Sequence, residues 1–115
     1  KELLACGADP NLGNKQGLRP LHIAAEKGHT SVIKPLVDSG ATVDILDNWQ
    51  WTPLHYAAFR GNRRVISVLL LNGASPDMPE YQGWRPLYFA VFSGHTEVVC
   101  LLLQAGASAE MPTSR

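Results

Sequence analysis

His22 and His55 stand 33 residues apart, and His29 and His95 stand at twice that interval. Histidine is the commonest metal ligand and the usual proton carrier near neutral pH. A recurring pair is therefore the first chemistry to test. The chain also carries two thiols, Cys6 and Cys100, and hydroxyls at Ser31, Ser39 and Ser67. What any of these groups can do depends on what the interval means.

The interval belongs to the whole chain. Gly7, Gly40, Gly73 and Gly106 each precede an alanine and keep the 33-residue step. Pro20, Pro53 and Pro86 keep it too, as do Gly28, Gly61 and Gly94. A fixed period of that size marks a solenoid, in which each unit packs only on its neighbours. Stacked helix layers lie about 10 Å apart. Two ligands of one zinc each lie about 2 Å from it. His22 and His55 therefore cannot share an ion, and His29 and His95, two layers apart, fail by more. The histidines read as structural.

The other reactive groups fare no better. Cys6 and Cys100 fall almost three units apart, roughly 30 Å at that layer spacing. A disulfide needs Cα atoms within about 7 Å. Reduced thiols are expected, and with them a cytoplasmic or nuclear setting. The serines have no His and Asp set that the stack brings together. No nucleophile elbow, phosphate loop, Cys-x-x-Cys or His-Glu-x-x-His occurs. The reading is a non-enzyme with no cofactor and no metal.

Composition narrows the partners. The 115 residues suit one domain, and ten Lys/Arg balance ten Asp/Glu. No net field favours nucleic acid or an anionic membrane. No apolar run approaches the roughly 18 residues of a membrane span. A linear stack offers a long continuous surface, so binding is the first expectation of function.

One unit shows how the elements arise. Thr52-Pro53 is a helix start: Thr caps free N–H groups and Pro suits the first helical position. Leu54, Ala57 and Ala58 follow at i, i+3 and i+4, one face of a short helix. Gly61 stops it. Val65, Ile66, Val68, Leu69 and Leu70 form the apolar stripe of a second helix, ended by Gly73-Ala74. Ser75-Pro76-Asp77 through Gln82-Gly83 is turn chemistry and predicts an extended hairpin loop. The spacing predicts first helices over 20–27, 53–60 and 86–93, and second helices over 30–39, 63–72 and 96–105. Pro35 falls inside a second helix, where proline costs about 3 kcal/mol and kinks the chain. The first full unit is expected to be the least regular.

Residues 47–74 follow the pattern Asp-x-x-x-x-Thr-Pro-Leu-His-x-Ala-Ala-x-x-Gly-x-x-x-Val-x-x-x-Leu-Leu-x-x-Gly-Ala. Pro20-Leu21-His22-Ile23-Ala24-Ala25-Glu26-Lys27-Gly28-His29 and Gly94-His95-Thr96-Glu97-Val98-Val99 match it in phase. This resembles the ankyrin repeat, across essentially the whole chain. The resemblance implies an all-α solenoid of helix-loop-helix units with hairpin loops. On that register residues 1–13 end a preceding repeat, 14–46, 47–79 and 80–112 are repeats, and 113–115 are a tail. A segment of a longer array is expected, with flanking repeats of the same chain at both ends. Arg19 and Arg85 replace the capping Thr, and Tyr88 replaces the His. Leu3, Asp9 and Asn11 resemble the hairpin sequence in which some ankyrin repeats are asparagine-hydroxylated; bracing of the hairpin by Asn11 is the preferred reading.

The resemblance also implies recognition of a partner protein or extended peptide through the hairpin tips and inner helices. All nine aromatic residues lie between Trp49 and Phe92. Tyr56 and Phe89 sit inside first helices and are expected in the core. Trp49, Trp51, Phe59, Tyr81, Trp84 and Phe92 fall on hairpin tips or on the variable positions after Ala-Ala, which in this family line the concave groove. Aromatics are favoured interface residues. For Trp51 and Trp84, packing between neighbouring hairpins is an equal alternative. Arg60, beside Phe59, is expected to pair with an acidic group on the partner. Two other functions remain open: a substrate-recruiting segment of a larger enzyme, such as a ubiquitin-ligase receptor or a kinase, and a structural spacer.

Overall fold

The Thr52-Pro53 start works as its chemistry demands. In the computed structural model, which describes residues 16–108, the Thr52 hydroxyl accepts a hydrogen bond from the His55 backbone N–H at 3.3 Å. The His55 ring returns the contact, its Nδ1 accepting from the Thr52 N–H at 3.0 Å. Two N–H groups that the helix leaves unpaired are thereby satisfied. At the other end Gly61 takes a left-handed φ of 76° and donates to the Ala57 carbonyl. Asn62 then opens the next helix, its side-chain oxygen accepting from the Val65 N–H at 3.2 Å.

This unit repeats. Among the described residues there are six helices and no strand: α1 Pro20–Lys27, α2 Thr30–Asp38, α3 Pro53–Arg60, α4 Arg63–Leu71, α5 Pro86–Phe92 and α6 Thr96–Gln104. The architecture is an all-α stack in two layers. The first helices α1, α3 and α5 pack in series, and so do the second helices α2, α4 and α6. Alanines at the inner contacts, Ala25, Ala57, Ala58 and Ala90, are fully buried and let the helices approach closely. The outer layer contributes Ile33 and Leu36, then Val65, Ile66 and Leu69, then Val98 and Leu102. Burying each large aliphatic side chain contributes about 1.5–3 kcal/mol.

The loops are tied in the same register. The Asp44 carboxylate accepts the Ser75 N–H at 3.2 Å, and Asp77 accepts the Ser108 N–H at 2.9 Å. At the hairpin tips Asn48 donates to the Gln16 carbonyl and Tyr81 to the Trp49 carbonyl, at 3.0 and 3.1 Å. Each loop is thus hydrogen-bonded to its neighbour.

Departures from the pattern have local effects. Arg19 and Arg85 provide no side-chain cap. α1 keeps the histidine half of the arrangement, because the Arg19 N–H reaches His22 Nδ1 at 3.0 Å. Tyr88 cannot do this for α5, which has seven residues against eight in α1 and α3. Pro35 falls inside α2. α2 runs through it for nine residues, as long as α4 and α6. Proline there removes one helical hydrogen bond, while buried Ile33 and Leu36 on either side hold the helix against the core. At the last helix Leu102 is fully buried, whereas Leu103 is 46% exposed. Leu3, Leu4, Cys6 and Asn11 lie outside the described residues.

Candidate functional site

Two carboxylates shape the hairpin tips of the second and third repeats. Asp47 Oδ1 accepts the N–H groups of Trp49 and Trp51, each at 2.9 Å. Glu80, one period later, does the same for Gln82 and Trp84 at 2.6 and 3.2 Å. Both acids are buried. Each closes a tight turn with a left-handed residue, Gln50 at φ 63° and Gly83 at φ 90°. These turns aim the flanking tryptophans.

The rings meet between the two tips. Trp51 lies at the centre, with ring centroids 4.9 Å from Tyr56, 4.6 Å from Phe89 and 6.1 Å from Phe59. Its indole N–H donates to Glu80 Oε2 at 3.3 Å, crossing from one repeat to the next. Trp84 stacks on Tyr88 at 3.8 Å, and Tyr88 on Phe92 at 5.8 Å. The Tyr56 hydroxyl donates to the Asp47 carboxylate. Burial pushes the Tyr56 pKa up, and that hydrogen bond adds to the shift. The result is an open cavity of about 510 Å³ whose walls include all nine aromatic residues of the chain, with Glu80 and Gln82.

The sequence-derived residues divide as follows. Trp49, Trp51, Phe59, Tyr81, Trp84 and Phe92 all line the cavity. Trp49, Phe59, Tyr81 and Phe92 are 45, 43, 58 and 72% exposed. Trp51 and Trp84 are half-buried. Arg60 is not among the lining residues, because its guanidinium reaches back one repeat to Glu26 at 2.9 Å. Tyr56 and Phe89, expected in the core, are only half-buried and line the cavity. Leu54, Ala57, Ala58, Leu87 and Ala90 already fill the inner faces of α3 and α5, so the larger rings turn outward. Tyr88 and Glu80 also escaped the site assignment. Their signal was positional, since each departs from the repeat: Tyr for His, Glu for Asp.

The histidines position the hairpins. His22 Nε2 donates to the carbonyls of Ile45 and Trp51 at 2.9 and 2.8 Å. His55 Nε2 donates to the Trp84 carbonyl at 3.1 Å. With Nδ1 accepting an N–H in both rings, both are neutral. Burial lowers the pKa of each, to about 4 for His55. His95 Nε2 contacts the Phe59 carbonyl at 3.1 Å. Among the described residues no group of three or more His, Cys, Asp or Glu side chains is placed to hold a metal ion.

Comparison with known proteins agrees with this geometry. Residues 1–80 match the family described as "Ankyrin repeats (3 copies)", and residues 64–103 match "Ankyrin repeats (many copies)". Two rice (Oryza sativa subsp. japonica) proteins are similar over a shorter stretch. Potassium channel KOR1 is 45% identical over 49 residues, covering 43% of this chain and 6% of the channel. Potassium channel KOR2 is 43% identical over 49 residues, covering 43% and 7%. The chain thus spans less than a tenth of the length of these relatives. Among the described residues no helix is long and apolar enough to cross a membrane. Ankyrin repeats generally serve as protein–protein interaction modules, and with its 33-residue period, paired helices and hairpin ladder, this chain belongs to the ankyrin-repeat family.

Proposed function

We propose that this array binds a partner protein by seating an extended peptide segment in the aromatic groove between the second and third repeats. One observation carries the reading: every aromatic ring of the chain faces one cavity, and four of those rings remain about half exposed or more. Packing alone gives no reason to leave Tyr81 and Phe92 in water. Contiguous exposed apolar surface marks a binding site, and aromatic anchors supply most interface energy. The cavity crosses two repeats, which suits a ligand laid along the stack. The rice channels carry a related stretch inside much longer chains, which supports a recruiting role for the array within a larger protein. A cytoplasmic or nuclear setting fits such a role.

The test is selection from a random peptide display library on the wild-type protein and on Phe92→Ala. Selected peptides are expected to carry apolar anchors and to lose about 30-fold in affinity on Phe92→Ala, with an unchanged melting temperature. Equal affinity for both folded proteins would move the interface off the groove.

A further inference from the structure

The two turn-closing acids differ by one methylene and by the partner of their second oxygen. Asp47 uses Oδ1 for the N–H groups of Trp49 and Trp51, and its Oδ2 accepts the Tyr56 hydroxyl within the same repeat. One period later the equivalent residues are Glu80 and Phe89. Phe89 has no hydroxyl. Glu80 is 5% exposed, and a buried carboxylate oxygen left without a donor is destabilising. The extra methylene lets Oε2 reach the indole N–H of Trp51 in the preceding repeat, at 3.3 Å. The paired changes, Asp to Glu and Tyr to Phe, thus move one hydrogen bond from within a repeat to across the groove.

The backbone of Trp51 is fixed by other groups. Its N–H is held by Asp47 and its carbonyl by His22. Contacts with Tyr56, Phe59 and Phe89 hold the plane of the indole. An indole turned half over about χ2 can keep such contacts, because that torsion is broad and roughly two-fold. The two orientations differ in where the N–H and the larger ring point. Only one of them meets Glu80.

We propose that Glu80 is the positioning residue of the groove: through Oε2 it selects one orientation of the Trp51 ring and presents a preformed central wall to the peptide. Aspartate at this position would close the turn and leave the indole free to turn over. The proposal rests on the peptide-groove reading above and names what preorganises that site. Ordering one such side chain only on binding lowers affinity about threefold to tenfold.

The test compares the wild type with Glu80→Gln, with Glu80→Asp and with the double variant Glu80→Asp/Phe89→Tyr, all below their melting transitions. Glu80→Gln keeps the length and one turn-closing oxygen, while its amide nitrogen cannot accept the indole N–H. The double variant copies the Asp47–Tyr56 pair and is expected to regain the melting temperature lost in Glu80→Asp. Hydrogen exchange by NMR follows the Trp51 indole N–H, identified by its absence in Trp51→Phe. It is expected to be protected in the wild type and to exchange at least about tenfold faster in all three variants. Peptides selected on the wild type from the display library are expected to bind all three about threefold to tenfold more weakly, the double variant included. If affinity returns with the melting temperature in the double variant, Glu80 acts through stability alone and the positioning role is overturned. An unprotected Trp51 indole N–H in the wild type, or selected peptides that bind all four proteins equally, overturns it too and leaves the groove standing. A library that yields no binders removes the groove reading and the positioning role together.

Discussion

His55 of α3 donates to the Trp84 carbonyl at 3.1 Å, and so one histidine both closes its own helix start and fixes the hairpin of the next repeat. His22 holds the Trp51 carbonyl in the same way, at 2.8 Å. The two tryptophans on either side of the groove are thus set by imidazoles in the preceding repeats.

This arrangement makes the fold sensitive to acid. Both rings must be neutral to accept one backbone N–H and donate to a carbonyl. The folded pKa of His55 is about 4, below the ordinary 6.5, because burial disfavours its charged form. The unfolded chain therefore binds the proton more readily. Stability is full above about pH 6.5 and falls as the pH drops toward 4, by about 3 kcal/mol for a shift of this size. His22 shifts in the same direction and adds to the effect. Melting temperatures are expected to fall progressively between pH 6.5 and 4.5; a flat profile there contradicts the assignment.

Exposed and half-buried rings should separate by phenotype. Trp51 touches several rings and bridges to Glu80, so Trp51→Ala is expected to cost about 3–5 kcal/mol of stability. Trp49→Ala and Phe92→Ala are expected to stay within about 1 kcal/mol of wild type, because much of each ring is already in water. Chemical denaturation of the three variants checks this. Equal losses in all three would mean that the groove is packing surface.

Arg60 gives a control. Its ion pair with Glu26 is partly exposed, at 53 and 29% for the two side chains. Such pairs contribute about 0–1 kcal/mol. Arg60→Ala is expected to leave stability within that range and peptide affinity within about twofold, since the guanidinium is held by Glu26 and does not line the groove. A tenfold loss of affinity would bring Arg60 back into the site.

Backbone conformation makes a fourth case. Gly61 has φ 76°, and a Cβ built there lies 2.4 Å from the His95 ring. Gly61→Ala must strain the backbone and displace a ring bonded to the Phe59 carbonyl. A loss of about 2 kcal/mol or more is expected. Gln50 is the converse, a non-glycine residue at φ 63° where Gly17 and Gly83 occupy the equivalent turns. Gln50→Gly is expected to be neutral or stabilising by up to about 1 kcal/mol. Thermal melts of the pair decide both.

The helices were legible because their signals are local and recur in phase: Thr52-Pro53, the stopping Gly61 and the Val65 to Leu69 stripe each act within one unit. The exposed rings of the candidate groove were legible for a related reason. Trp49, Phe59, Tyr81 and Phe92 break the repeat at positions the core does not need. What was missed depends on contacts between units. Arg60 turns toward Glu26 of the preceding repeat, and Glu80 gains its place from Trp51, 29 residues earlier. Tyr56 and Phe89 were assigned inward because helical spacing shows which face they share but not that alanine and leucine have already filled it.

The bonds that cross the repeat boundaries bear on how such a surface is inherited. The sequence period suggests a cassette that can be copied or exchanged at will. Yet Trp51 finds its carboxylate in the following repeat, and His22 and His55 each hold a hairpin that belongs to the next one. Moving a single repeat into another array would carry the rings without the groups that aim them. The smallest heritable unit of this groove is a neighbouring pair, so recombination that respects the period alone preserves the fold and loses the site.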